Sequence, residues 1–182
     1  MPRLLHFFFL LLINIFYSNS NVFAAEVEVQ INRISVDGVG AEIGSIILKD
    51  NHHGMMLIPN LRALPEGNHA FHIHENPSCK SGVKNGNKIA GYMAGGHFAP
   101  KKENQEIQHN YKKSHHGHGK PHGDLPELLA TKNGTITTPV MTNKLKVSQL
   151  IGRSIIIHRY GESDVGKPKG GGPRYACGVI IK

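Results

Sequence analysis

Over residues 26–34 apolar and polar side chains alternate, with Val27, Val29, Ile31 and Ile34 standing among charged and amide residues. A period of two is the mark of a strand with one buried face, and it sets the pattern for the rest of the chain. Short apolar runs at 43–48 and 55–58 flank a polar tip at 49–54, and Gly38 with Gly40 marks an earlier turn. Leu64-Pro65-Glu66-Gly67 is another turn, and it leads into an apolar strand over 70–75. Strand-like segments return at 134–141, 152–158 and 174–181, and no segment after residue 24 sustains a helical period. Short strands joined by Gly/Pro turns predict an all-β fold, an antiparallel sandwich or barrel. There is no internal repeat and no second boundary, so 25–182 reads as one domain.

Residues 1–24 have a different character. Arg3 precedes an apolar run over 4–16, and a polar patch leads to Val22-Phe23-Ala24. This is the pattern of a secretory signal cut after Ala24, and the apolar run is short of the roughly 20 residues a membrane span requires. An exported, periplasmic protein is the expectation, with a secreted endpoint as the alternative and no membrane span in 25–182. Cys79 and Cys177 are the only cysteines. In an exported chain two cysteines most simply form one disulfide. The formal charge is +8, from 21 basic and 13 acidic residues. The lysines and arginines are scattered and not interleaved with aromatics, so a solvated surface is expected and no nucleic-acid partner.

The chemistry concentrates in Phe71-His72-Ile73-His74-Glu75-Asn76. Strand residues two apart share a face, so both imidazoles leave the sheet in one direction. Imidazole suits copper and zinc, and two converging rings are half of a metal site. His52 and His53 are adjacent, face opposite ways, and read as exposed polar residues. Two long loops follow. Residues 80–124 lack any period and carry Gly95-Gly96-His97, then His109, His115, His116, His118 and His122, then Asp124. Residues 160–173 are rich in glycine, lysine and proline. Loops of such length in a compact domain are usually functional or disordered.

Taken in order, Phe71 to Asn76, Cys79, Gly95-Gly96-His97-Phe98, Gly123-Asp124-Leu125-Pro126, Ile157-His158 and Arg174 to Ile180 resemble the exported bacterial copper/zinc superoxide dismutases. The resemblance spans essentially all of 25–182. It implies a Greek-key β-sandwich or barrel with two long functional loops. It implies copper on His72, His74, His97 and His158, with His97 bridging to zinc, and a disulfide between Cys79 and Cys177. Arg174 would orient anionic superoxide, which becomes dioxygen and hydrogen peroxide by one-electron cycling of copper. A non-catalytic copper/zinc carrier on the same fold is the alternative.

The zinc half departs from the family pattern. The residue three before Asp124 is Pro121, where a histidine is usual, and His122 is the nearest candidate. His118-Gly119-Lys120-Pro121 best resembles the usual setting of the middle ligand. The expected zinc set is therefore His97, His118, His122 and Asp124, with His116 as substitute for His118 and His109 and His115 also competing. Copper alone is the alternative. In the loop after His158, Glu162 is the expected link between a copper ligand and a zinc ligand, with Asp164 next in line, while Lys167 and Lys169 would steer superoxide. Either a monomer or a homodimer fits.

Overall fold

The computed structural model describes residues 25–99, 122–162 and 164–182. The expected leader and the histidines at 109, 115, 116 and 118 lie outside the described residues. Eleven strands follow in order among those described: β1 (Glu26–Ser35), β2 (Gly38–Asn51), β3 (Gly54–Leu61), β4 (Gly67–His69), β5 (Phe71–His74), β6 (Gly82–Lys84), β7 (Asn87–Ile89), β8 (Leu128–Ala130), β9 (Val140–Thr142), β10 (Arg153–His158) and β11 (Arg174–Ile180).

Seven of them form one curled antiparallel sheet in the order β5-β10-β11-β1-β2-β3-β9. β1, β2 and β3 are joined by tight hairpins, and β11 returns from far along the chain to lie beside β1. That order, three consecutive strands and a returning fourth, is a Greek key. The all-β expectation holds. Two 3-10 turns, Tyr92–Ala94 and Val147–Gln149, are the helical elements among the described residues.

Side-chain parity places the core. Phe71 and Ile73 of β5 and Ile155 and Ile157 of β10 point inward with Ile31, Ile46, Leu48 and Leu57. The odd residue of the Ile155-Ile156-Ile157 run, Ile156, packs instead with Ile34, Ala94, Cys79 and Cys177. β10 is thus buried on both faces, which explains why its sequence is continuously apolar. Burying each such side chain favours folding by roughly 1.5–3 kcal/mol, so no single contact holds the sheet together.

Cys79 and Cys177 form a disulfide, Cα–Cα 5.7 Å, across a separation of 98 residues. In the chain-entropy account a closed loop of about this length stabilises by about 4–5 kcal/mol. The bond fastens the segment after β5, which leads on to His97, to β11, which opens with Arg174.

Three features differ from the sequence expectation. The first hairpin turns at Val36 and Asp37, so Gly38, at φ 129°, already begins β2. The supposedly patternless loop contains the β6–β7 hairpin, turning on Asn85 (φ 51°) and Gly86 (φ 79°). In the later region β8 precedes 134–141, and the expected strand meets β3 in two pieces, an isolated bridge from Ile136 to Leu61 and the pairing of β9 with Met55 to Leu57.

Candidate metal centre

His72 and His74 lie on the outward parity of β5, opposite Phe71 and Ile73, yet both are buried. β10 pairs with β5 and ends on His158, so the sheet itself brings the third ring alongside. The fourth arrives on a loop. Gly95 and Gly96 lead His97 into an isolated antiparallel bridge with His74, and Asp124 bridges to His72 in the same way. One ligand atom from each of His72, His74, His97 and His158 lies within 4.8 Å of the other three. The rings of His72 and His97 stack with centroids 3.9 Å apart, and those of His72 and His158 meet edge-on at 4.9 Å.

Each of the three buried rings in this group, His72, His74 and His158, has one nitrogen engaged and one bare. His74 Nδ1 donates to the Gly95 carbonyl at 3.0 Å, and His158 Nδ1 to the Gly172 carbonyl at 2.8 Å. His72 is turned the other way, its Nε2 lying 3.3 Å from Glu162 Oε2. The atoms left without a partner are His72 Nδ1, His74 Nε2 and His158 Nε2. A buried polar atom without a partner costs about 1–3 kcal/mol, and three converging lone pairs form a site that a metal ion fits. The engaged nitrogen carries the proton and the bare one presents its lone pair inward, the tautomer a metal ion needs.

The electrostatics agree with that tautomer. Burial holds all three imidazoles far below their ordinary range: His72 to about 2, with positive charge at His97 adding to the effect, and His74 to about 3, with Arg174 adding. His158 is held at about 4 by burial, against the opposing pull of its Gly172 hydrogen bond. These rings are neutral and ligand-ready at neutral pH.

Arg174 opens β11 opposite His158. Its Nη2 donates to the Gly95 carbonyl at 2.7 Å and its Nη1 to the Gly91 carbonyl. Two main-chain oxygens therefore fix the guanidinium beside the histidines. Burial lowers its pKa from the ordinary value, but guanidinium stays charged across the working pH range.

His97 faces both ways. Its Nδ1 lies 2.8 Å from Asp124 Oδ1, leaving Nε2 for the four-histidine cluster. Of the expected zinc set, His97 and Asp124 are in contact, whereas His122 is exposed and outside the 4.8 Å group. His116 and His118 lie outside the described residues. Glu162 lies against His72, one of the four clustered histidines. Lys167 and Lys169 are exposed, and Lys167 Nζ lies 4.8 Å from the Tyr160 ring centroid. His52 and His53 stand exposed at the β2–β3 tip, as expected.

Sequence reading missed His69. It is fully buried, with Nδ1 2.8 Å from the His158 carbonyl and Nε2 2.8 Å from the Pro65 carbonyl. The signal was its parity: 69, 71 and 73 share the inward face, where a histidine needs partners for both ring nitrogens.

A curled Greek-key sheet with four convergent imidazoles and a fixed arginine defines a class, the all-β metalloproteins whose centre can hold a redox metal. Comparison with known proteins narrows it. Residues 42–180 match the family model of copper/zinc superoxide dismutase. "Superoxide dismutase [Cu-Zn] 1" of Salmonella typhimurium is 39% identical over 158 residues, covering 85% of this chain and 86% of that protein. The Cu/Zn superoxide dismutase from Brucella abortus superposes with a TM-score of 0.71 at 34% identity, over 86% of this chain and 99% of that one. The monomeric copper, zinc enzyme from Salmonella enterica gives 0.69 at 38% identity, with the same coverage. The chain belongs to the copper/zinc superoxide dismutase family.

Proposed function

We propose that this protein is a superoxide dismutase working at the four-histidine centre, and that the carrying observation is the convergence of the three unpartnered buried nitrogens of His72, His74 and His158 upon His97. These four residues would hold copper, which when bound supplies the one-electron redox chemistry that zinc lacks. In sum, two superoxide ions and two protons give one dioxygen and one hydrogen peroxide.

The chain's own residues do the rest. Arg174 presents a permanently charged, planar donor pair beside the rings and so binds and orients a small diatomic anion. His97 is the residue suited to move a proton, because Asp124 holds its Nδ1 and leaves Nε2 as the available nitrogen. The zinc set is His97, Asp124, His122 and His118, with His116 as substitute. Zinc there would fix His97 and add positive charge without redox chemistry. Glu162 holds the His72 ring. A carrier needs no fixed arginine at its metal, so the non-catalytic reading is not favoured.

Export to the periplasm rests on the leader pattern and on a disulfide of the kind that persists in oxidising compartments. All four imidazoles and Arg174 come from one chain, so a monomer is competent. The test is superoxide consumption by copper- and zinc-loaded protein against the metal-free form. Rapid consumption by the loaded form alone is expected, and equal rates would refute the enzyme.

A further inference from the structure

β5 ends at His74, and the next residue reaches over the segment that delivers His97. Glu75 grips this segment twice: its N–H donates to the Gly96 carbonyl at 3.1 Å, and its Oε2 accepts from the Gly96 N–H at 2.9 Å. That N–H belongs to the same peptide unit as the Gly95 carbonyl. The Gly95 carbonyl in turn accepts from His74 Nδ1 at 3.0 Å and from Arg174 Nη2 at 2.7 Å. A single peptide group therefore carries a carboxylate at its N–H end and an imidazole with a guanidinium at its C=O end.

The geometry of this peptide is tightly fixed. Gly95 sits at φ 81°, ψ −153°, a conformation all but confined to glycine. A Cβ there would come within 2.8 Å of both Glu75 Oε2 and Asn76 Nδ2. Asn76 adds a further tie, its Nδ2 donating to the Met93 carbonyl at 3.1 Å.

We propose that Glu75 is a positioning residue that acts through the Gly95–Gly96 peptide to set the donor strength of His74 toward copper, an inference that rests on copper being held by the four histidines. A carboxylate accepting from a peptide N–H polarises the unit and makes its oxygen a better acceptor. Hydrogen bonds in series strengthen one another by roughly 10–30% each. A better acceptor draws on the His74 Nδ1 proton, and the ring becomes a stronger donor through Nε2. Stronger imidazole donation favours Cu(II) over Cu(I) and lowers the midpoint potential of the site. The same carbonyl seats Arg174, so one peptide couples the copper ligand to the anion guide.

The test compares wild type, Glu75→Gln and Glu75→Ala, each loaded with copper and zinc. Midpoint potential, affinity for each copper oxidation state and the Cu(II) electron paramagnetic resonance spectrum are measured. Expected for Glu75→Ala is a raised potential, with Cu(II) affinity about tenfold weaker and Cu(I) affinity nearly unchanged. Glu75→Gln keeps an acceptor oxygen but not the charge, and should fall between. Identical potentials in all three would overturn the inference, as would equal weakening of both oxidation states, the sign of a merely structural role. If Glu75→Ala fails to fold, Glu75→Gln decides, and an unmoved potential there overturns it. Wild-type protein that binds no copper at these histidines would remove the reading beneath, whereas bound copper with an unmoved potential removes only the role of Glu75.

Discussion

The buried ring of His69 stands 2.8 Å from the carbonyl oxygen of His158, so a residue outside the proposed metal-ligand set braces the backbone of one within it. The other ring nitrogen reaches Pro65 in the turn before β4, tying that turn to the end of β10. His69→Ala removes a ring that lies between two carbonyls, with the N–H it offers them, and opens a void in a fully buried position. Metal-free stability should fall by about 2–4 kcal/mol in urea unfolding. Copper affinity should drop about tenfold in a chelator competition.

Arg174 should matter for rate and not for copper. Arg174→Ala is expected to retain copper at wild-type stoichiometry yet lose roughly ten- to hundredfold in the rate constant for superoxide, since a focused positive charge raises anion capture by such factors. Arg174→Lys should lie between, keeping the charge without the fork. The wild-type rate should fall as salt rises, through screening of the same attraction. A wild-type rate in Arg174→Ala would place anion guidance elsewhere.

The three depressed histidines give the metal-free protein a defined pH dependence. Their folded-state pKa values, about 2, 3 and 4, lie below the ordinary 6.5, so the unfolded chain binds protons more readily than the folded one. The stability they contribute is complete above about pH 6.5 and is lost as pH falls through the folded values. Each should contribute a slope of about 1.4 kcal/mol per pH unit once below 6.5. Urea midpoints of metal-free protein between pH 8 and 4 test this, and a flat profile would mean that the rings are not held neutral. The copper-loaded form should resist acid over the same range until protons displace the metal.

Asp124 and His97 are in contact, and that contact carries the zinc proposal. Asp124→Ala should lower zinc content sharply while copper stays at one per chain, as counted by elemental analysis after dialysis. Copper at full occupancy with zinc near zero already in the wild type would leave a copper-only enzyme.

Particular residues show what the sequence disclosed. The His72 and His74 pairing on one face was legible because strand parity is local, and the structure keeps it. The disulfide was legible because two cysteines have one way to pair. The β6–β7 hairpin was overlooked although Asn85-Gly86 is a strong tight-turn signal, because the glycine and lysine around it hid two three-residue strands. The approach of His158 to His72 depends on β10 pairing with β5 across some 80 residues, and no local period encodes that. Gly91, Gly95 and Gly172 act through carbonyls, which every residue carries, so composition alone does not single them out.

The central claim is that His72, His74, His97 and His158 close on one copper ion. A crystal structure of copper-loaded protein, with anomalous scattering recorded at the copper edge, tests it most directly. The expected result is one strong peak within bonding reach of His72 Nδ1, His74 Nε2, His158 Nε2 and the cluster-facing nitrogen of His97. A copper peak among the histidines of residues 109–122, with the four clustered rings empty, would contradict it.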